Sequence, residues 1–374
     1  MLLPILVSIL IVFGSPYVGE VRGELQSTFP GHYRWIISGI VAASALVVIV
    51  SVVVRLRRFE RGSAATDGSG GLSIHARYAL VVAAVAIGAA YGRILRTGQP
   101  EVDMVEAFHF VEFGLVAYVF YRALRRRPDV SGVLLAACAA VAVGVADEWV
   151  QWFVPARVGE LHDVALNAVA VGCGLLVSMA VHPPVSLALP RHRASRVTIG
   201  AAVSVLIIAV AGFIDRVHLG HEVREDQTAV FRSRYDADGL TQAAANRTAR
   251  WKASPPPVRG FSHEDHYLSE GEWHVARRNV AVGAGDWPAA WGENAILERF
   301  YAPVLDRSGR WSMEQRTAAE QGTGARANGS YVSDAEPYPI YVVRRPMFWL
   351  VTIVMSGSIV WLAARTGGAS PAGI

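Results

Sequence analysis

The chain has 374 residues, of which 52% are hydrophobic, and its mean hydropathy is +0.32. This composition excludes a single water-soluble globule and predicts a helical membrane bundle with room for one modest soluble domain. The formal net charge of +4 comes almost wholly from arginine, since Lys252 is the only lysine, and many arginines flank apolar runs. That placement is typical of membrane topology signals, so no nucleic-acid partner is expected.

Cysteine usage and short motifs narrow the function classes further. The two cysteines, Cys138 and Cys173, lie inside apolar runs and lack the spacing of metal ligands, which predicts neither a disulfide framework nor a zinc knuckle. The sequence also contains no nucleotide-binding glycine loop, nucleophile elbow or HExxH motif. We therefore expect no cofactor.

Apolar runs of about 20 residues, the length that a bilayer core requires of a helix, recur along the chain. They predict an all-α, polytopic transmembrane bundle of about eight spans. The predicted spans are residues 1–18, 35–54, 78–95, 104–121, 131–152, 163–182, 197–214 and 346–364. For the first of them a signal sequence is an alternative, although no basic segment precedes its apolar run.

Arginines concentrate in alternate loops between the predicted spans. Those beside the second, fourth and sixth loops are Arg55, Arg57, Arg58, Arg61, Arg77, Arg122, Arg125, Arg126, Arg127, Arg191, Arg193 and Arg196. Because arginine-rich short loops stay in the cytoplasm, we predict a multi-pass inner-membrane protein with both termini cytoplasmic. Arg344 and Arg345 precede the last span and oppose this orientation, but the three concordant loops outweigh them.

Residues 215–345 are polar and rich in Trp, His and Arg. The orientation predicts that they form an extracytoplasmic, mostly helical domain, which is free to bind a protein partner. Helix-like composition marks residues 239–252, 267–283 and 286–301, with Asp286 as the N-cap of the third helix. The second and third helices resemble a helical hairpin of the tetratricopeptide kind. Residues 308–333 are predicted to be a loose linker back to the bilayer.

These observations predict five parts along the chain. They are the two N-terminal spans with a cytoplasmic loop (1–76), a four-span core (77–182), a cytoplasmic loop with the seventh span (183–214), the extracytoplasmic domain (215–345) and the last span with a cytoplasmic tail (346–374).

Polar side chains interrupt the spans of the four-span core, where they are costly in lipid and mark a candidate site. They are His109, Glu112, Asp147, Glu148, Gln151, Arg157, Asp163 and Asn167. Within each span they lie three or four positions apart, so they share a helical face. The alternation of the spans brings all of them to the outer half of the bilayer or to its outer surface.

Four motifs follow one another in this region: His109-Phe110, Glu148-Trp-Val-Gln151, Pro155-Ala-Arg157 and Asp163-Val-Ala-Leu-Asn167. With this set in this order, residues 80–180 resemble the VanZ-like family of membrane proteins. Members of the family usually have an aromatic residue such as Tyr where this chain has Phe113. Phe113 has no hydroxyl group, so no hydroxyl role is expected at this position. The family takes its name from a protein associated with resistance to teicoplanin. The resemblance therefore implies a cell-envelope role and tolerance of glycopeptide antibiotics.

Two interpretations of the polar residues stay open. In the first, they form a structural cluster of ion pairs and hydrogen bonds that joins the fourth to sixth spans. In the second, they line an outer-leaflet pocket, in which His109 carries a proton beside Glu112 or Glu148 and Arg157 binds an anion. The expected ligand of such a pocket is a cell-wall or lipid-linked headgroup with phosphate or carboxylate groups.

The chemistry of the pocket also has alternatives. We favour non-enzymatic binding over a membrane hydrolase or transferase, which would use His109 and Glu148 on a lipid-linked substrate. A transporter is disfavoured because few polar residues continue into the cytoplasmic half of these spans.

Two further sets of residues, histidines and tryptophans, could have either a functional or an ordinary structural role. The motifs His218-x-x-His221-Glu222 and His263-x-x-His266 allow metal binding, but ordinary histidines of a surface loop are the favoured interpretation, so no metal is expected. Trp149 and Trp152 stand near the end of a span and are predicted to lie at the membrane–water interface.

Overall fold

The structure is a computed structural model that describes residues 2–63, 72–94, 100–153, 159–225, 229–253, 266–322 and 331–365. Seven helices come first along the chain. They are α1 (Leu2–Thr28), α2 (Tyr33–Ser63), α3 (Ile74–Ile94), α4 (Pro100–Leu124), α5 (Ser131–Trp152), α6 (Leu161–Val181) and α7 (Arg193–Val217).

A polar segment with short strands and helices follows α7, and a last apolar helix follows that segment. The elements are β1 (His221–Glu225), β2 (Ala229–Ser233), α8 (Ala237–Ala253), α9 (His266–Ala284), α10 (Trp287–Phe300), α11 (Ala302–Ser308), α12 (Met313–Gly322), β3 (Tyr331–Val332) and α13 (Arg345–Arg365).

Within the described residues, seven helices, α2 to α7 and α13, are long and apolar enough to cross a membrane. They confirm the predicted all-α, polytopic class. Helix α1 occupies the position of the other predicted span, but its apolar part runs only from Leu2 to Ser15. Glu20, Arg22 and Glu24 follow in the same helix, so the apolar length falls short of the ~20 residues that a bilayer core requires.

The chain divides into two compact units, of which the first contains residues 1–150, 161–211 and 351–374. The buried core of this unit joins α4, α5 and α6 through side chains that include Phe113, Ala140 and Val171. Glycine lets α4 and α6 cross at backbone distance, because a Cβ atom on Gly174 would lie 2.6 Å from the Cα of Gly114. Small residues at such crossings are how membrane helices approach closely without a hydrophobic driving force.

Helices α7 and α13 pack through small residues in the same way. The Ser204 hydroxyl donates to the Ser356 carbonyl oxygen at 2.9 Å, and a Cβ on Gly200 would lie 2.9 Å from the side chain of Ala363. A hydroxyl bonded to a backbone carbonyl of the facing helix avoids an unsatisfied polar group in lipid. This contact fixes the register of the two helices.

The second unit contains residues 151–160 and 212–350. Strands β1 and β2 pair antiparallel, with Val223 opposite Phe231, and β3 pairs parallel with β2. Helices α8 to α11 cover this sheet around a core that includes Phe231, Leu240 and Tyr301. The composition of residues 215–345 did not reveal the strands, which were predicted neither in position nor in number.

Helix boundaries in this unit follow the sequence closely. The predicted helices 239–252, 267–283 and 286–301 are confirmed as α8, α9 and α10. The predicted cap of α10 is also confirmed, because the Asp286 carboxylate accepts a hydrogen bond from the Ala289 amide at 3.2 Å. The predicted loose linker 308–333 is wrong in part, since α12 occupies residues 313–322 within it and β3 lies at its end.

Two buried carboxylates hold the second unit together. Glu270 on α9 accepts hydrogen bonds from the Ser233 hydroxyl at 2.6 Å and the Tyr301 hydroxyl at 2.9 Å, and also from the Arg234 amide. Burial raises the pKa of Glu270 above its ordinary value, although these hydrogen bonds act in the opposite direction.

The second of these carboxylates is Glu293 on α10, which is fully buried. It accepts hydrogen bonds of 2.6 Å from His274 Nδ1 and from the hydroxyls of Tyr331 and Ser333. Because these donors come from α9 and from the β3 region, one carboxylate links three separate parts of the fold.

Candidate functional site

One face of α5 carries the glutamate of the candidate site into the bundle. Ala136, Ala140, Gly144 and Glu148 follow at intervals of four residues, so they form a single row along the helix. Ala136, Ala140 and Glu148 are completely buried. Because the two alanines belong to the core shared with α4 and α6, the same row directs the Glu148 carboxyl toward those helices.

The His109 imidazole on α4 is hydrogen-bonded to Asn167 on α6, with 2.9 Å between Nδ1 and Oδ1. An amide oxygen can only accept, so Nδ1 carries the proton and Nε2 is the acceptor atom of the neutral ring. The Phe113 ring lies parallel to the imidazole, with ring centroids 5.9 Å apart, and fixes its plane. The structure thus brings together two of the predicted site residues, 58 positions apart in sequence.

The amide nitrogen of Asn167 is buried and has no hydrogen-bond partner among the described residues. It lies against α5, because a Cβ atom on Gly144 would be 3.3 Å from this Nδ2 and 2.9 Å from the Asn167 Cβ. A buried donor left without an acceptor costs about 1–3 kcal/mol. Such a donor is expected where a ligand, an ion or water completes the hydrogen bonding.

A second polar group lies beside this pair and includes a tyrosine that the sequence analysis missed. The Tyr91 hydroxyl on α3 is within electrostatic range of the carboxylates of Asp163 and Glu106. Asp163 precedes Asn167 by one helical turn, so the two groups adjoin along α6. Tyrosines near the ends of apolar helices are common at the membrane interface, so the position of Tyr91 in the sequence did not indicate a site residue.

The other predicted site residues differ in burial, and some of them lie outside the described residues. Asp147 and Gln151 are buried at 3% and 4% exposure, whereas Glu112 and Asp163 are half-buried. Arg157, the predicted anion ligand, and Pro155 of its motif lie outside the described residues. Its role therefore stays a prediction.

Residues 2–182 match the family model of VanZ/LLP1. Residues 2–182 are therefore a VanZ-like membrane region. The match begins at α1 and ends at the last turn of α6, so it contains every predicted site residue and none of residues 215–345. No curated protein and no solved structure matches the chain.

Trp152, the last residue of α5, belongs to the second unit and is enclosed there by aromatic and cationic side chains. Trp152 is completely buried and stacks on the His266 ring with centroids 3.7 Å apart. The Arg234 guanidinium lies 4.3 Å from the centre of the indole, a cation–π distance, and Tyr338 meets its edge. The prediction that Trp152 lies at the lipid interface is therefore wrong, because protein side chains cover it.

The histidines that allowed a metal interpretation have other surroundings in the described residues. His218 is buried rather than exposed on a loop, and its Nδ1 lies 2.8 Å from the Pro339 carbonyl oxygen. Burial lowers the pKa of His218, which keeps the ring neutral and a donor to that carbonyl. His266 is buried against Trp152, and His263 lies outside the described residues. The interpretation as ordinary surface histidines is thus wrong for His218 and His266.

The described residues of the VanZ-like site present both a hydrogen-bond acceptor and a hydrogen-bond donor. The Nε2 atom of His109 is an acceptor, and the buried amide of Asn167 is a donor.

Proposed function

We propose that the VanZ-like region binds an anionic headgroup of the cell envelope, either a cell-wall fragment or a lipid-linked precursor, and thereby contributes to glycopeptide tolerance of the teicoplanin type. The ligand-binding residues are His109, Glu112, Asp147, Glu148, Gln151, Arg157, Asp163 and Asn167. The observation that carries this proposal is the buried amide donor of Asn167, which lacks an acceptor among the described residues although its oxygen is bonded to His109.

The ligand chemistry follows from the charges around this donor. Arg157 is the anion contact, since a guanidinium group binds phosphate or carboxylate with two parallel hydrogen bonds. The carboxylates of the site bind the amide or amine donors that cell-wall headgroups also carry. A purely structural cluster has no need for an unfilled buried donor, so this feature favours binding over helix association.

The site faces the outer leaflet in this proposal. The arginine-rich loops lie at the opposite ends of α2 to α7, and the positive-inside preference assigns those ends to the cytoplasm whether or not α1 crosses the bilayer. The opposing signal is weakened, because Arg345 pairs with Asp215 at 3.3 Å and contributes little net charge. Residues 215–345 are then extracytoplasmic.

Binding of a labelled lipid-linked cell-wall precursor to the purified full chain tests the proposal. We expect Arg157→Ala to weaken binding about 10- to 100-fold, because a hydrogen bond to a charged group contributes about 1.5–3 kcal/mol. His109→Phe should weaken it as well, since the acceptor Nε2 is lost. In cells, both variants should raise teicoplanin susceptibility as much as deletion of the gene.

His162→Phe is the matched control, because this exposed histidine begins α6 and lies outside the binding set. It should retain binding and susceptibility. Unchanged binding in correctly inserted Arg157→Ala and His109→Phe proteins would refute the proposal. Conversion of the labelled precursor into product would replace it with the hydrolase or transferase interpretation.

A further inference from the structure

A cluster of basic side chains lies at the other end of the VanZ-like bundle, away from the predicted site. Arg55 Nη1 on α2 and Arg122 Nη1 on α4 lie 2.7 Å and 3.0 Å from the same atom, Nε2 of His182. Guanidinium groups only donate, so Nε2 accepts from both and the imidazole is neutral. Two full positive charges are therefore held close together by one uncharged ring.

No carboxylate balances this charge within the part of the chain that the structure describes. Neither Arg55 nor Arg122 pairs there with an acidic side chain, and neither does their neighbour Arg125. The pKa of His182 is lowered to about 4, first by burial and then by the charges of Arg122, Arg55, Arg125 and Arg77. Arg55 on α2, Arg77 on α3, Arg122 on α4 and Arg125 in the turn after α4 thus create a positive potential at one imidazole.

Two hydrogen bonds hold the backbone of His182 in this position. The residue follows the last turn of α6, where its amide bonds to the Ser178 carbonyl at 2.8 Å, and its own carbonyl accepts from the Tyr121 hydroxyl at 2.6 Å. The end of α6 contributes only about half a negative charge, which is too little to neutralise two guanidinium groups. The backbone of His182 is thus fixed by two hydrogen bonds, and the cluster keeps a net positive charge.

Exposed apolar side chains of α2 lie near the cluster. Val47, Val50 and Val54 form an apolar row on α2 in the turns that precede Arg55, and they are 65%, 50% and 40% exposed. Apolar side chains at helical spacing beside a charged end offer a surface for an acyl chain. Basic pockets between membrane helices at the cytoplasmic side are typical binding sites of anionic lipid headgroups.

We propose that Arg55, Arg122 and His182 form a binding site for a phosphate group, supplied by the phosphodiester of an anionic phospholipid whose acyl chain lies along α2. The two guanidinium groups bind the phosphate oxygens, and His182 holds them at a fixed separation. The site is distinct from the one that contains His109, and it does not depend on the function proposed for that one.

Native mass spectrometry of the full chain in detergent tests this assignment. The probes are phosphatidylglycerol, phosphatidylcholine and inorganic phosphate. We expect preferential binding of phosphatidylglycerol and a loss of affinity of about 100-fold in the double variant Arg55→Gln/Arg122→Gln, because each guanidinium group loses a charge-assisted hydrogen bond to the phosphate, roughly a tenfold effect. Phosphatidylcholine and inorganic phosphate should bind weakly in wild type.

The double variant Arg58→Gln/Arg126→Gln is the matched control. It removes two positive charges, as the test variant does, but from exposed arginines on α2 and just after α4 that lie outside the cluster. It should retain phosphatidylglycerol affinity within about twofold. Equal losses in both double variants, or no loss in either, would overturn the site. Inorganic phosphate binding as tightly as phosphatidylglycerol would overturn the lipid assignment.

The titration of His182 by NMR is a second readout that general surface charge would not produce. Bound phosphate offsets the charges of Arg55 and Arg122, so phosphatidylglycerol should raise the His182 pKa from about 4 toward its ordinary value. A pKa that stays the same with and without phosphatidylglycerol would contradict binding at this ring.

Discussion

Replacing Gly174 with alanine is expected to destabilise the VanZ-like bundle by about 1–3 kcal/mol. The new Cβ atom would lie 2.6 Å from the Cα and 2.8 Å from the carbonyl oxygen of Gly114, and backbone atoms cannot move aside as a side chain does. Helices α4 and α6 must therefore separate. Thermal unfolding of the purified full chain, followed by tryptophan fluorescence, should show a midpoint lower by about 3–10 °C.

Gly172→Ala is the matched control on the same helix, because nothing lies within 4 Å of a Cβ at that position. It should be neutral or slightly stabilising, since alanine has a higher helix propensity than glycine. Gly174→Val should be worse than Gly174→Ala. Equal midpoints for the two alanine variants would show that α4 and α6 do not cross at these glycines.

Replacing Glu293 with alanine is expected to cost on the order of 3–5 kcal/mol within the second unit. The change removes one carboxylate and leaves the donors on His274, Tyr331 and Ser333 buried without their acceptor. Hydrogen exchange of the full chain, measured by mass spectrometry, should show α9 and α10 losing protection by about 100-fold or more.

Glu298→Ala on the same helix is the control for this change. Glu298 is exposed and pairs with Arg316, and a surface ion pair contributes about 0–1 kcal/mol. Its loss should leave the protection of α9 and α10 nearly unchanged. Comparable exchange in the Glu293→Ala and Glu298→Ala proteins would show that the buried carboxylate does not hold these helices.

Hydropathy and helix-capping residues were sufficient to predict the positions of most of the long helices. Each of the seven spanning helices matches a predicted span, because about 20 apolar residues in lipid have few alternatives to a helix. Asp286 after Gly285 located the start of α10, since a carboxylate there satisfies an orphan amide. Strands β1 and β2 were missed because each has only five residues and their alternation is weak.

Side-chain placement in the site was predictable only in part. Counting spans predicted that His109 and Asn167 lie at one level, but it did not predict their direct hydrogen bond or the close approach of Gly144 to Asn167. Tyr91 resembled an interfacial tyrosine, and Trp152 resembled an interfacial tryptophan. In the second unit, the burial of Glu270 and His274 was not predicted, because spacing alone does not show which helices cover a polar face.

Labelling from the two sides of the membrane tests most directly the claim that the polar groups of the VanZ-like region meet at the outer face. In a Cys138→Ala/Cys173→Ala background, His162→Cys reports the loop beside the site and Pro128→Cys reports the arginine-rich end. We predict that a membrane-impermeant maleimide labels the first variant in intact cells, and the second only after the cells are permeabilised. Labelling of the Pro128→Cys protein in intact cells, with protection of the His162→Cys protein, would contradict the account.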